Sequence, residues 1–397
     1  MKLKPLLIAA SLAVASLAAH AQLGLDEVTT LLKKQDYASL ENSFTATQQK
    51  FERGELTEDE LRQAFNPFES LRDEQALEKL REWAAQSPRS YVAHLALGLN
   101  YRAQGSDARG TKSWEKMAPD QRDRLVRNFT LAEPELRKSV PLTAKPYLSL
   151  VNLMAVAGNV SNRPFLNATL LQANEALPGN QLARLNYARF LLPRWGGSYE
   201  KLDDFIALSR AQGVAEDTLL KLQAIELNDR GQVLLSEHHG TKANEQFRQA
   251  LQLAQRAGGN ERFRTGYLAA ALKRLCKDDA TDEPLCQPAA TQAAVAQPAT
   301  SAPEAPLGGD IEHAIVIPTT DRSEGVQTEY AWLALRHPGA RRTQQALLLE
   351  GGRPYDRLSV TTADGRNVAL YFDISAFMAS NFNPAPSAAQ ARATATP

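Results

Sequence analysis

Only two cysteines stand in this chain of 397 residues, charge of neither sign is in excess, and past residue 21 no uninterrupted apolar run could cross a bilayer. Each shortage excludes something. The 45 basic and 45 acidic residues cancel and form no polybasic block. Nucleic acid is therefore not an expected partner, since neutralising phosphates takes a concentrated basic surface, and an anionic membrane surface is no better matched. The interval KDDATDEPL between Cys276 and Cys286 holds no histidine, so a zinc site there lacks ligands. Also missing, in any fitting context, are H-E-x-x-H, G-x-S-x-G, the P-loop and G-x-G-x-x-G. No catalytic residue, metal ligand or cofactor is expected.

What is present begins with a leader. Lys2 and Lys4 make a basic start, Leu6 to Ala18 are apolar, and Ala19-His20-Ala21 is the small-x-small pattern of a signal peptidase site. Residues 1–21 are thus predicted to be a signal peptide cleaved before Gln22, with no cysteine after it for a lipid. Removing Lys2 and Lys4 leaves a mature net charge of −2. The expected location is the periplasm or the outside of the cell, with no membrane insertion after cleavage. In an oxidising compartment Cys276 and Cys286 are most simply a structural disulfide, worth up to roughly 2–3 kcal/mol for so short a loop. A redox-active pair would more often have two intervening residues.

From about Leu25 to Leu275 the spacing of apolar residues predicts helices with short breaks. Thr57 and Glu60 form a capping box, and Ser87-Pro88 reads as a cap followed by a first-turn proline. Leu97-Gly98 with Tyr101, and Ala243, Phe247 and Ala250, match the two helices of a tetratricopeptide repeat, where small residues admit a large neighbour. They do not recur at a fixed period. Residues 287–309 carry one charge, Glu304, among Pro, Ala and Gln, and cannot bury a core. Beyond them AIVIP reads as a strand. GVQTEYAWLALRHPG reads as a helix facing inward with Val326, Tyr330 and Leu333 and with Trp332 at the margin. QALLLE, YDRLSVTT and NVALYFDIS read as a meander turned at Gly351-Gly352 and Asp364-Gly365. The expected fold is mainly α: an irregular tetratricopeptide-like helical-repeat domain (22–286), a disordered linker (287–309), a small α+β domain with an antiparallel sheet (310–382) and a disordered tail (383–397).

SPRSYVAHLALGLNYRAQGSDARG, followed by Trp114, and LLPRWGGSYEKL resemble the domain of unknown function 4034 family of bacterial proteins over roughly Leu25 to Leu275. The ARG element (Ala108 to Gly110) and the PRWGGS element (Pro193 to Ser198) carry most of the likeness. The resemblance implies architecture and brings no activity, cofactor or catalytic residue with it.

Two segments are distinctive enough to be a ligand or partner surface. Arg194, Trp195, Gly196, Gly197 and Ser198 could hold an anion on the amides that open the next helix. They could equally form a turn in which two glycines bend the chain, Ser198 caps and Trp195 packs. Arg109 with Trp114 admits the same two readings. His94, inside an apolar helix, reads as a packing residue, and adjacent His238 and His239 cannot share a metal from one helix face. Glu58, Asp59 and Glu60 read as a first turn complementing its own helix dipole. Tyr355, Asp356 and Asp373 sit at unexceptional strand positions. The leading expectation is a noncatalytic module of the cell envelope that binds a protein or peptide on a concave helical surface. The alternatives are an envelope enzyme with a groove near Arg109, Trp114 and PRWGGS, or a small module acting as an inhibitory plug.

Overall fold

The computed structural model describes residues 22–110, 114–276, 284–287 and 307–382. The expected leader, most of the expected linker and the expected tail lie outside the described residues. The fold is mainly α with a small C-terminal α+β module. In chain order come α1 (Leu25–Lys33), α2 (Tyr37–Glu52), α3 (Glu58–Ser70), α4 (Glu74–Gln86) and α5 (Tyr91–Arg109). They are followed by α6 (Pro119–Ser139), α7 (Tyr147–Asn159), α8 (Arg163–Ala176), α9 (Leu182–Leu191) and α10 (Tyr199–Ala211). The helical part closes with α11 (Glu216–Ser236), α12 (Gly240–Arg256), α13 (Glu261–Tyr267) and α14 (Ala269–Leu275). Among the described residues no helix is long and apolar enough to cross a membrane.

Local chemistry sets many of these boundaries. The Thr57 hydroxyl accepts from the Glu60 amide at 3.2 Å while Glu60 accepts from the Thr57 amide at 2.8 Å, as the capping box requires. Ser87-Pro88 does not open a helix. Ser87 ends α4, and Ser90 caps α5 by accepting from the Ala93 amide at 2.9 Å. Either serine satisfies the sequence rule, and the turn through Pro88 decides between them. Glu58 also departs from its expected role. Its carboxylate accepts from the amides of Gln181 and Leu182 at 2.8 and 3.1 Å and from the Tyr147 hydroxyl, so it caps α9 from far away in sequence. Gln181, the residue before α9, offers no side-chain cap of its own.

Close helix pairs follow the small-against-large rule. A Cβ on Gly98 would lie 2.6 Å from Leu136, and one on Gly105 2.5 Å from Phe129, so α5 seats directly on α6. Gly231 of α11 admits Phe247 of α12 in the same way, between buried Ala243 and Ala250. Helices α7 and α8 are buried on nearly all sides, as their apolar circumference demands. Cys276 and Cys286 are joined in a disulfide.

The module contains β1 (Ile315–Val316), α15 (Arg322–Arg336), β2 (Arg341–Glu350), β3 (Arg353–Thr361), β4 (Asn367–Asp373) and α16 (Ser375–Phe382). Strands β2, β3 and β4 form the expected antiparallel meander, and β1 adds in parallel to β4, giving the order β1-β4-β3-β2. Leu358, Val360, Leu370 and Phe372 turn to α15, where Trp332 meets Phe372 edge-on at 5.8 Å. The final helix, α16, was not expected from sequence.

Helix α15 is covered on its other side by α8, so the module is seated on the helical part. Ala168 and Leu171 of α8 belong to the module's core, and Leu335 of α15 belongs to the helical one. Buried Asn167 is the polar centre of this contact. Its amide donates to Glu324 at 2.8 Å and to Thr328 at 3.2 Å, and its carbonyl accepts from Tyr187 at 2.8 Å. Gln172 donates to the Trp332 carbonyl at 3.1 Å, and Arg336 pairs with Glu175 at 3.0 Å. Asn167→Ala strands the Tyr187 hydroxyl and should cost about 2 kcal/mol. With a protease site engineered between residues 288 and 306, the two pieces of the cut wild type should co-elute in size exclusion, and those of N167A should separate. Separation of the wild-type pieces would refute this docking.

Candidate functional site

The PRWGGS segment is a turn between α9 and α10, built by close backbone packing. Pro193 to Trp195 make one 3-10 turn, and Gly196 takes a left-handed conformation at φ +78°. The chain then passes so near α9 that a Cβ on Gly197 would lie 1.9 Å from the Leu191 carbonyl oxygen. Ser198 caps α10, its hydroxyl accepting from the Lys201 amide at 3.2 Å. Arg194 does not reinforce an anion site at these amides. It is turned to α11, where it pairs with the buried carboxylate of Asp229 at 2.9 Å and donates to Gln232 at 3.1 Å. Asp229 also accepts from Tyr199 at 3.0 Å, which fixes the start of α10 to the same helix.

Trp195 gathers arginines that sequence spacing did not join. The Arg109 guanidinium lies 4.0 Å from the indole centroid and that of Arg189 5.3 Å, while Arg163 donates to the Trp195 carbonyl at 2.6 Å. Phe190 supports the ring edge-on at 5.0 Å, and Arg109 also donates to Asn159. Burial and the charge of Arg189 hold Arg109 below its usual basicity; burial and Arg194 do the same to Arg189. Trp114 is placed apart, in a 3-10 turn (Trp114–Lys116) before α6, with Arg122 5.4 Å over its ring. So Arg109 and Trp195 meet, and Trp114 is not their partner in that stack. The groups brought to Trp195 are guanidinium and amide, a chemistry of charge and hydrogen-bond donation.

On the other side of the last turns of α5 lies an open groove of about 540 Å³. Arg81 of α4, Tyr101, Gln104, Asp107 and Ala108 of α5, and Gln121, Arg124, Arg127, Asn128 and Leu131 of α6 line it. Arg81 donates to the Tyr101 hydroxyl at 3.2 Å, and Leu131 is exposed. Asp107, the one carboxylate of the lining, is already paired with Arg72. Three guanidiniums therefore line the groove, Arg124 also pairing with Asp120 of its own helix at 3.3 Å, while the one carboxylate of the lining is taken up by Arg72. The arginines of α6 sit in a run, QRDRLVRN, that reads in sequence only as the solvated face of a helix. Their grouping with Arg81 and Tyr101 depends on how α4, α5 and α6 cross.

The module holds a different feature, also missed in sequence. Glu329 of α15 is fully buried against Asp356 of β3, and among the described residues no donor reaches either of its carboxyl oxygens. Burial, then the adjacent Asp356 carboxylate, pushes Glu329 up to about 9. Glu329 is therefore a carboxylic acid at neutral pH, with Asp356 the acceptor for its proton. Asp356 accepts in turn from Gln345 of β2. Tyr355 is buried, while Asp373 caps the approach to α16 by accepting from the Ser375 amide at 2.9 Å. His94 is a satisfied packing residue between Glu135, at 2.6 Å, and the Pro88 carbonyl, at 3.3 Å. His238 and His239 stand in the exposed turn before α12. Among the described residues no three His, Cys, Asp or Glu side chains converge as a metal site would require.

Comparison of the chain with protein-family models, with curated proteins and with solved structures finds no match.

Proposed function

We propose that this is an exported, noncatalytic binding module whose helical part takes an acidic peptide segment in the groove between α4, α5 and α6. The observation that carries the reading is the groove's lining: Arg81, Arg124 and Arg127 beside Tyr101 and exposed Leu131, with Asp107 already neutralised. Such a surface offers charge-assisted hydrogen bonds to carboxylates and an apolar seat for one side chain. Export rests on the leader pattern and agrees with the disulfide. Membership of the domain of unknown function 4034 family is part of the same proposal and rests on the ARG and PRWGGS segments.

The test is fluorescence anisotropy with labelled acidic, neutral and basic peptides of equal length. Acidic peptides should bind in preference, and more weakly as salt rises. Arg124→Glu with Arg127→Glu should weaken that binding by on the order of tenfold or more. Both arginines lie outside the core, so the circular dichroism spectrum should not change. Equal affinity for the three peptide classes, or indifference to the double variant, would remove the groove from the proposal.

A further inference from the structure

Strand β2 is an edge of the sheet, and its outer backbone groups face away from β3. Edge strands that stay alone are normally blunted by proline, by a bulge, by charge or by a covering element. Here Arg341, Arg342 and a bulge between Arg342 and Gln344 guard one end. The rest, Gln345 to Leu349, has no such guard, and Leu347 and Leu349 are 52% and 56% exposed. Leu347 is paired with Asp356 and Gln345 with Leu358, so both leucines lie on the face that α15 covers farther in. The apolar face thus runs on past its helix and stops at an open strand.

The sequence of the strand says what fits it. An antiparallel pair of identical strands is related by a twofold axis perpendicular to the sheet, which keeps each face on its own side. A register centred on Ala346 sets Gln345 against Leu347 and Gln344 against Leu348. The bulge at Thr343 then brings Arg342 to Leu349 and Arg341 to Glu350. Face matches face at every step, because the same bulge puts Arg342 on the α15 side and leaves Arg341 and Glu350 on the other. The ion pair forms twice, and the two Leu347 side chains become diagonal neighbours across the axis. Shifting the register by two residues in either direction loses both ion pairs.

We infer that β2 is a self-association edge, on which a second copy of this chain adds its own β2 antiparallel to give a continuous eight-stranded sheet. Sedimentation equilibrium on the mature full-length protein, with its disulfide intact, tests this. The wild type should be a concentration-dependent dimer. Arg341→Glu and Glu350→Arg should each weaken it at least tenfold, by setting like charges opposite one another, and R341E combined with E350R should restore it. Ala346→Cys, self-opposed at the axis, should form a disulfide-linked dimer on oxidation. All three substitutions are on the surface of the strand, and an unchanged circular dichroism spectrum establishes that each of the four variants is folded. A wild type that stays monomeric up to its solubility limit overturns the inference. So does a dimer indifferent to both single charge reversals, or one that the combined reversal fails to restore.

Discussion

Gly197→Ala is expected to lower the thermal midpoint by roughly 6–12 °C, through a loss of about 3 kcal/mol or more. The methyl group would stand 1.9 Å from the Leu191 carbonyl oxygen and 2.7 Å from its Cα, and both are backbone atoms of α9. No rotamer change can relieve that overlap, so the turn must open. Opening it displaces Trp195 from Arg109 and Arg189, withdraws the Arg163 bond to the Trp195 carbonyl, and moves Ser198 off the start of α10. The matched control is Gly213→Ala. Gly213 has a left-handed backbone at φ +74° but open space around it, so alanine there should cost only about 1 kcal/mol of conformational strain. Scanning calorimetry of both variants separates packing from conformation. Equal midpoints for the two would show that the approach to Leu191 is not what makes Gly197 necessary.

Glu329→Gln is expected to stabilise the protein at pH 8 by on the order of 3 kcal/mol and to change little near pH 4. The sign follows from the direction of the shift. Glu329 is pushed from 4.5 up to about 9 in the folded chain, so between those values the folded state holds a proton that the unfolded state has released. Its contribution is complete below about pH 4.5 and falls steadily as pH rises toward 9. Glutamine has nearly the same shape, has no proton to lose, and can donate an N–H to Asp356 where the acid donated its O–H. The readout is the difference in unfolding free energy between wild type and E329Q, measured by denaturant titration from pH 4 to 9. Taking the difference cancels half-buried Glu58, which desolvation also shifts upward. A difference that does not grow with pH, or a variant less stable than wild type at pH 8, would rule out a neutral Glu329.

Residues whose role is settled by near neighbours could be read directly. Thr57 and Glu60 cap α3 because the two bonds close within four residues, and Ser198 caps α10 for the same reason. The turns at Gly351-Gly352 and Asp364-Gly365 fixed the meander, since period-two alternation flanks each of them. Ala243, Phe247 and Ala250 announced a close helix pair, although Gly231, the residue that receives the phenylalanine, could not be assigned to it from spacing. Glu329 illustrates the failure. A one-sided reading of α15 turns Val326, Tyr330 and Leu333 inward. The helix in fact lies between the sheet and α8, and the buried set shifts to Gly325, Thr328, Glu329, Trp332, Leu333 and Leu335, leaving Val326 and Tyr330 only half-buried. Periodicity assumes one covered face, and a helix between two layers has two.

The candidate surfaces divide along the same line. Arg109, Arg194 and Trp195 stood out as unusual sequence, but only the packed chain turns Arg194 to Asp229 and lays Arg109 on Trp195. Arg81, Arg124 and Arg127 were ordinary helical arginines until the crossing of α4, α5 and α6 made them one groove. By itself the sequence determined the helical class, the capping box at Thr57 and Glu60, the hairpins and the cysteine pairing, because hydrogen bonds and hydrophobic periods within a few residues express them. Tertiary structure alone decided which charges are neutralised, which carboxyl keeps its proton, and that the C-terminal module rests on α8. Those depend on distances between segments far apart in the chain, and local spacing carries no information about them.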